Sequence, residues 1–211
     1  MHESANSRLL LHLVTDRSLS RGRALVEVVA EAVAGGVTCV QLREKDCSTR
    51  EFLQEALALK ALLQPLRVPL IINDRVDIAL AVEADGVHLG QSDMPITHAR
   101  RLLGPNCLIG ISAESVQDAI DAEQQGADYI GISPVFSTPT KTDTAQALGL
   151  DGIRQIRELV RIPLVGIGGI NQTNAGQVLA AGADGVAVVS AIMAAESPRL
   201  AAEAIRSGIR L

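Results

Sequence analysis

The chain has 211 residues, 47% apolar and 20% charged, with a formal net charge of −5, enough for one well-buried core and short for two domains. Two Phe, one Tyr and no Trp leave little for stacking nucleic-acid bases, and the acidic balance argues the same way. No stretch approaches the roughly 20 apolar residues of a membrane span, so a cytoplasmic protein acting on small molecules is expected, with no membrane partner.

Cys39, Cys47 and Cys107 are odd in number and show no CxxC spacing, which fits free thiols in a reducing compartment better than a disulfide framework or a zinc site. The apolar run at 9–14 is too short for a secretory leader. A single domain over 1–211 is expected, with 1–8 as a loose N-terminal segment.

Taken in chain order, apolar runs at 10–14, 39–42, 70–72, 87–89, 108–111, 129–132, 164–167 and 186–189 predict eight strands. Between and after them, helices are expected over 23–34, 49–63, 76–82, 96–103, 115–125, 152–159, 172–180 and 198–206. Ser48 or Thr49 ahead of Glu51, Ser115 and Pro198 supply start signals. Glu83-Ala84-Asp85-Gly86, Gly126-Ala127-Asp128 and Gly182-Ala183-Asp184-Gly185 form a weak repeat that closes a helix and opens a strand. Its acidic residues fall at the end opposite the polar clusters, a structural position. Alternating βα units with short links and no GxGxxG after the first strand favour a closed parallel (β/α)8 TIM barrel over an open doubly wound sheet.

Nearly every strand ends at its C-terminal side in polar or glycine residues, where such barrels build their sites. After strand two, Gln41, Arg43 and Lys45 share one face by the twofold alternation of a strand. An amide and two cations there point to an anionic ligand, most simply a phosphate, with an ion-pair network around Glu44 as the alternative. Asp74 and Asp93 follow successive strands. Two carboxylates beside those cations suit Mg2+, and paired acid–base carboxylates are the rival use. Asp77 and Asp85 read as surface or turn residues.

Gly166–Gly169 and Ser190 end strands seven and eight, where backbone N–H groups commonly hold phosphate. The irregular segment 134–148 combines Ser137, Thr138, Pro139, Thr140 and Lys141 and reads as a binding loop over the mouth, against the alternative of a solvated connection. His88 reads as a hydrogen-bonded barrel residue. His2, His12 and His98 have no catalytic spacing, and no nucleophile–base pair stands out.

The ordered set Gln41-Leu42-Arg43-Glu44-Lys45, Asn73-Asp74-Arg75, His88-Leu89-Gly90-Gln91-Ser92-Asp93, Thr138-Pro139-Thr140-Lys141, Val165-Gly166-Ile167-Gly168-Gly169-Ile170 and Gly185-Val186-Ala187-Val188-Val189-Ser190-Ala191-Ile192 resembles the thiamine-phosphate synthase family, over about 10–197. The resemblance implies a TIM barrel that joins a hydroxymethylpyrimidine diphosphate to a thiazole phosphate and releases diphosphate. It also implies that Gln41, Leu42, Arg43, Glu44, Lys45, Asn73, Ser112 and Lys141 hold the pyrimidine diphosphate. By the same resemblance, Asp74 and Asp93 bind Mg2+, Thr138, Thr140, Gly169, Val189 and Ser190 hold the thiazole phosphate, and Pro139 is a further substrate-binding residue. Arg43, Lys45, Ser112 and Lys141 are the expected catalytic residues. Ser133 departs from the glycine the resemblance leads one to expect, and the Leu148 region lacks an expected proline. A thiazole tautomerase-like isomerase of the same family, another phosphate-binding barrel such as a sugar-phosphate isomerase, and a non-catalytic sensor are the rival readings. The sequence carries no signal of oligomeric state.

Overall fold

The computed structural model describes residues 8–137 and 147–209. Eight parallel strands close in chain order into a barrel: β1 Leu11–Val14, β2 Cys39–Leu42, β3 Leu70–Asn73, β4 Gly86–Leu89, β5 Leu108–Ala113, β6 Tyr129–Ile132, β7 Leu164–Ile167 and β8 Gly185–Val188. The helices are α1 Leu25–Ala34, α2 Thr49–Leu63, α3 Val76–Ala81, α4 Ile96–Leu103, α5 Val116–Gln124, α6 Gly149–Leu159, α7 Ala175–Ala180, α8 Ser190–Met193 and α9 Pro198–Gly208. The expected (β/α)8 architecture is therefore present. None of the helices among the described residues is long and apolar enough to cross a membrane.

Two 3₁₀ turns, Arg17–Leu19 and Gln64–Leu66, and the four-residue α8 were not among the expected elements. Three or four residues cannot display a helical period. Elsewhere local chemistry sets the ends. Ser48 caps α2 in a reciprocal box: its hydroxyl accepts from the Glu51 N–H at 3.3 Å, and the Glu51 carboxylate accepts from the Ser48 N–H at 2.8 Å. Ser115 and Ser197 cap α5 and α9 in the same sense.

The acidic repeat has a definite task at the N-terminal end of the barrel. Asp85 accepts from the Leu70 N–H at 3.0 Å, Asp128 from the Ile109 N–H at 2.7 Å, and Asp184 from the Leu164 N–H at 2.8 Å. Thr38 does the same for the Leu11 N–H at 2.9 Å. Thus a side chain just before each even strand satisfies an N–H where the preceding odd strand begins. Lys60, Arg100 and Arg157, each from a helix, neutralise the three carboxylates. These residues are structural, as their position in the sequence indicated.

Strand alternation divides the core into two apolar layers. The larger lies between the sheet and the helices and draws on Leu11, Leu13, Val40, Leu42, Leu70 and Ile72, among others. The inner layer is small: Leu9, Val14, Tyr129, Val165 and Ala187. The one tyrosine fills the narrow interior only because β5 offers no side chain beside it. A Cβ added at Gly110 would lie 2.1 Å from the Tyr129 ring.

Candidate active site

The C-terminal ends of the strands open into a cup of about 680 Å³. Of the residues the sequence singled out, Gln41, Arg43, Lys45, Asn73, Asp74, Asp93, Ser112, Gly169, Val189 and Ser190 line it together. Thr138, Pro139, Thr140 and Lys141 lie outside the described residues. Leu42 and Glu44 are not part of the lining: Leu42 is buried in the outer core, and Glu44 points away from the cup toward Arg17. Ser133 does line the mouth.

One wall comes from β2, β3 and β4. The chain beyond β2 stays extended beside the turn after β1, where the Thr15 N–H donates to the Gln41 carbonyl at 2.9 Å and the Thr15 hydroxyl accepts from the Arg43 N–H at 3.0 Å. Gln41 faces the cup by strand alternation, and Arg43 and Lys45 reach it from beyond the strand, Lys45 from a bend. The Lys45 ammonium meets the Asp74 carboxylate at 2.5 Å. Asp74 itself has φ of 61°, an unusual left-handed backbone for a non-glycine residue, immediately after β3. Asp93 is tied down by the Gly90 N–H, which donates to Oδ2 at 2.7 Å. Burial, together with the facing Asp74 carboxylate, pushes the Asp93 carboxyl above its ordinary range, against the opposing pull of the Gly90 N–H and Lys45.

The opposite wall is the turn after β7 and the start of α8. Gly168 and Gly169 have φ of 104° and 64°, values that favour glycine. A Cβ at Gly169 would also lie 2.9 Å from that of Phe136. The turn is stitched on both sides: the Phe136 N–H donates to the Gly168 carbonyl at 3.1 Å, and the Asn174 side-chain amide donates to the Gly169 carbonyl at 2.9 Å. Asn174 in turn accepts from the Asn171 N–H at 2.8 Å.

The floor is polar, and His88 is the hydrogen-bonded barrel residue the sequence suggests; the parts of His12 and Tyr129 are not among the expectations. His88 hydrogen-bonds Ser112 Oγ through Nε2 at 2.9 Å and the Tyr129 hydroxyl through Nδ1 at 3.0 Å. His12 packs edge-on against the same tyrosine, 5.7 Å between ring centres. Its buried Nε2 has no hydrogen-bond partner among the described residues. Burial, with a smaller contribution from nearby His88, lowers its pKa to about 3, so the imidazole is neutral. Spacing along the chain gives His12 no catalytic signature. The signal that finds it is strand phase: His12 lies two residues before Val14 and pairs across the sheet with Ala187, both inner-layer residues.

A closed parallel barrel with a polar cup at its C-terminal mouth defines a (β/α)8 barrel of the enzyme type. A profile described as thiamine monophosphate synthase matches residues 11–192. The thiamine-phosphate synthase of Albidiferax ferrireducens is 57% identical over 205 residues, covering 97% of this chain and 94% of that protein. That of Chloroflexus aurantiacus is 55% identical, covering 93% and 91%. Among solved structures, a thiamine phosphate pyrophosphorylase from Pyrococcus furiosus superposes with a TM-score of 0.89 at 45% identity, covering 97% of this chain and 96% of its own. A 3-hexulose-6-phosphate synthase, at 18% identity and a TM-score of 0.68, shares the fold alone. The chain belongs to the thiamine monophosphate synthase family and is an enzyme of the transferase class.

Proposed function

We propose that the enzyme condenses 4-amino-5-hydroxymethyl-2-methylpyrimidine diphosphate with thiazole phosphate, giving thiamine phosphate and diphosphate. The observation that carries this reading is the pairing of two anion-binding walls in one cup. Arg43 and Lys45 stand beside the Asp74–Asp93 pair on one side, and the Gly168-Gly169 turn and Ser190 stand on the other. A single-anion isomerase has no use for the first wall.

The carboxylate pair fits Mg2+. Asp74 and Asp93 face each other closely enough to raise one carboxyl, and the Lys45 ammonium already occupies the cation's place against Asp74. Among the described residues no group of three or more His, Cys, Asp or Glu has metal-holding geometry. Mg2+ does not require one, because it completes its shell with water and substrate phosphate oxygens. Bound there, the ion supplies charge neutralisation for the departing diphosphate.

The protein's own groups do the rest. Arg43, Lys45 and Ser112, with Lys141 by resemblance, hold the diphosphate as the bond between the pyrimidine methylene and its oxygen breaks, the electron pair leaving with diphosphate. The aminopyrimidine ring spreads the positive charge left on the methylene. The thiazole nitrogen donates its lone pair to that carbon, and no proton has to move. Gly169, Val189 and Ser190, with Thr138, Pro139 and Thr140 by resemblance, fix the thiazole phosphate so that the nitrogen faces the methylene. Gln41, Asn73 and the floor of His12, His88 and Tyr129 suit an uncharged heteroaromatic ring with donors and acceptors on its edge.

Purified enzyme supplied with both substrates and Mg2+ is expected to form thiamine phosphate and diphosphate in equal amounts. Asp74→Asn and Asp93→Asn are each expected to lower kcat/KM at least a hundredfold, roughly 3 kcal/mol. Unchanged Mg2+-dependent synthesis in both variants would show the metal assignment to be wrong, and absence of product from the wild type would overturn the reaction itself.

A further inference from the structure

The cations of the first wall stand on a stretch beyond the β2–β3 ladder, tied to the turn after β1 by the Arg43 N–H on the Thr15 hydroxyl. The β2–β3 ladder ends at the Leu42–Ile72 pair, yet Arg43 and Lys45 must project from the next three residues. Glu44, between them, points away from the cup toward Arg17. Its side chain is only 5% exposed, and a buried carboxylate without a cation is costly. Arg17 supplies the cation from the 3₁₀ turn after β1. Its Nε donates to Glu44 Oε2 at 3.3 Å, and its terminal nitrogen pairs with Glu55 on α2. Asp16 fixes that turn by accepting from the Ser18 N–H at 3.0 Å. One guanidinium thus pins the post-β2 segment to both the post-β1 turn and α2.

The clamp is tight on charge. Two carboxylates share one arginine, and the second oxygen of each, Glu44 Oε1 and Glu55 Oε2, is buried without a hydrogen-bond partner among the described residues. No cluster of metal-ligating side chains explains them among the described residues. Arg17 does not line the cup, so it acts only through Glu44 and Glu55.

We infer that Arg17, acting through Glu44 and Glu55, is a positioning residue for the diphosphate-binding cations Arg43 and Lys45. The inference rests on the proposed two-substrate reaction for its kinetic readout, but not for its binding readout. Losing the clamp lets residues 43–45 relax, and misplacement of an anion-binding pair by about an ångström weakens binding without altering the opposite wall.

Arg17→Met is expected to raise KM for the pyrimidine diphosphate about tenfold while leaving KM for the thiazole phosphate unchanged. Glu44→Gln, which removes the buried charge and folds without a counter-ion, is expected to act in the same direction. The double variant should be no worse than Arg17→Met alone, because both changes break one clamp. Arg17→Lys should recover part of the loss. Calorimetric titration with inorganic diphosphate reads the same tenfold weakening without turnover, so failure of the proposed reaction stays distinguishable from failure of this inference.

A pH profile adds a signature that a merely structural residue would lack. Burial and the neighbouring Glu55 raise the Glu44 carboxyl above the ordinary glutamate range, with Arg17 opposing them and Asp16 adding to the rise. Asp46, Cys47 and Glu51 stand at the edge of the same cluster. As pH falls Glu44 takes up a proton before an ordinary carboxylate does, and the clamp weakens. Diphosphate affinity of the wild type should therefore fall more steeply on the acid side than that of Glu44→Gln. Equal rises in both KM values, independent additive effects of the two substitutions, or identical acid limbs would overturn the inference.

Discussion

His12 shows how much of this site depends on single side chains in an unusual setting. It is buried in the barrel interior beside Tyr129 and within range of His88, and its pKa falls from about 6.5 to about 3. The unfolded chain binds a proton there below pH 6.5 and the folded protein does not. Stability present above that pH is therefore lost on acidification, by up to about 1.4 kcal/mol per pH unit from this residue, until the folded value near 3 is reached. Denaturant titrations of the wild type and His12→Gln between pH 7 and 4 test this. The wild-type slope should exceed that of the variant by roughly that amount, and parallel curves would contradict it. At this scale the sequence was partly legible. Alternation alone places Gln41, Arg43 and Lys45 on one face, and the structure brings all three to the cup. The same logic, read strand by strand, turns Glu44 away from it. Tyr129 could not be placed in this way, because its room depends on the missing side chain of Gly110 on the neighbouring strand.

Elements carry a division of labour between the two ends of the barrel. At the N-terminal end, Asp85, Asp128 and Asp184 each bind a strand N–H and a helix-borne cation. The sequence repeat announced these residues as structural, and it did not reveal the partner of each carboxylate, which comes from the preceding odd strand. Asp128→Ala leaves the Ile109 N–H without its acceptor and Arg100 without its carboxylate partner, and should cost about 1–3 kcal/mol of stability with both KM values unchanged. Asp128→Asn keeps an acceptor and should cost less. A shift in either KM without loss of stability would mean that the end opposite the cup takes part in binding. At the C-terminal end the elements are short and irregular. The 3₁₀ turn Arg17–Leu19 and α8 have too few residues to show a period, yet they deliver Arg17 and Ser190. The proposed functional positions fall where propensity has least to say, because short polar turns cannot repeat an apolar pattern.

For the molecule as a whole, eight alternating βα units already imply a parallel sheet, and closure follows from the pairing of β1 with β8. That pairing has no local signature, since it joins the two ends of the sheet through contacts more than 170 residues apart, such as Leu11 with Val186. Closure matters for chemistry because it brings the post-β7 and post-β8 turns round to face the cations that follow β2. An open sheet would leave the two proposed anion sites on separate edges. The most direct measurement is a crystal of the Asp93→Asn enzyme grown with both substrates and Mg2+. The expected density has the diphosphate against Arg43 and Lys45, the thiazole phosphate against Gly169 and Ser190, and the thiazole nitrogen within about 3.5 Å of the pyrimidine methylene. Both anions on the same wall, or either bound outside the cup, would contradict the account.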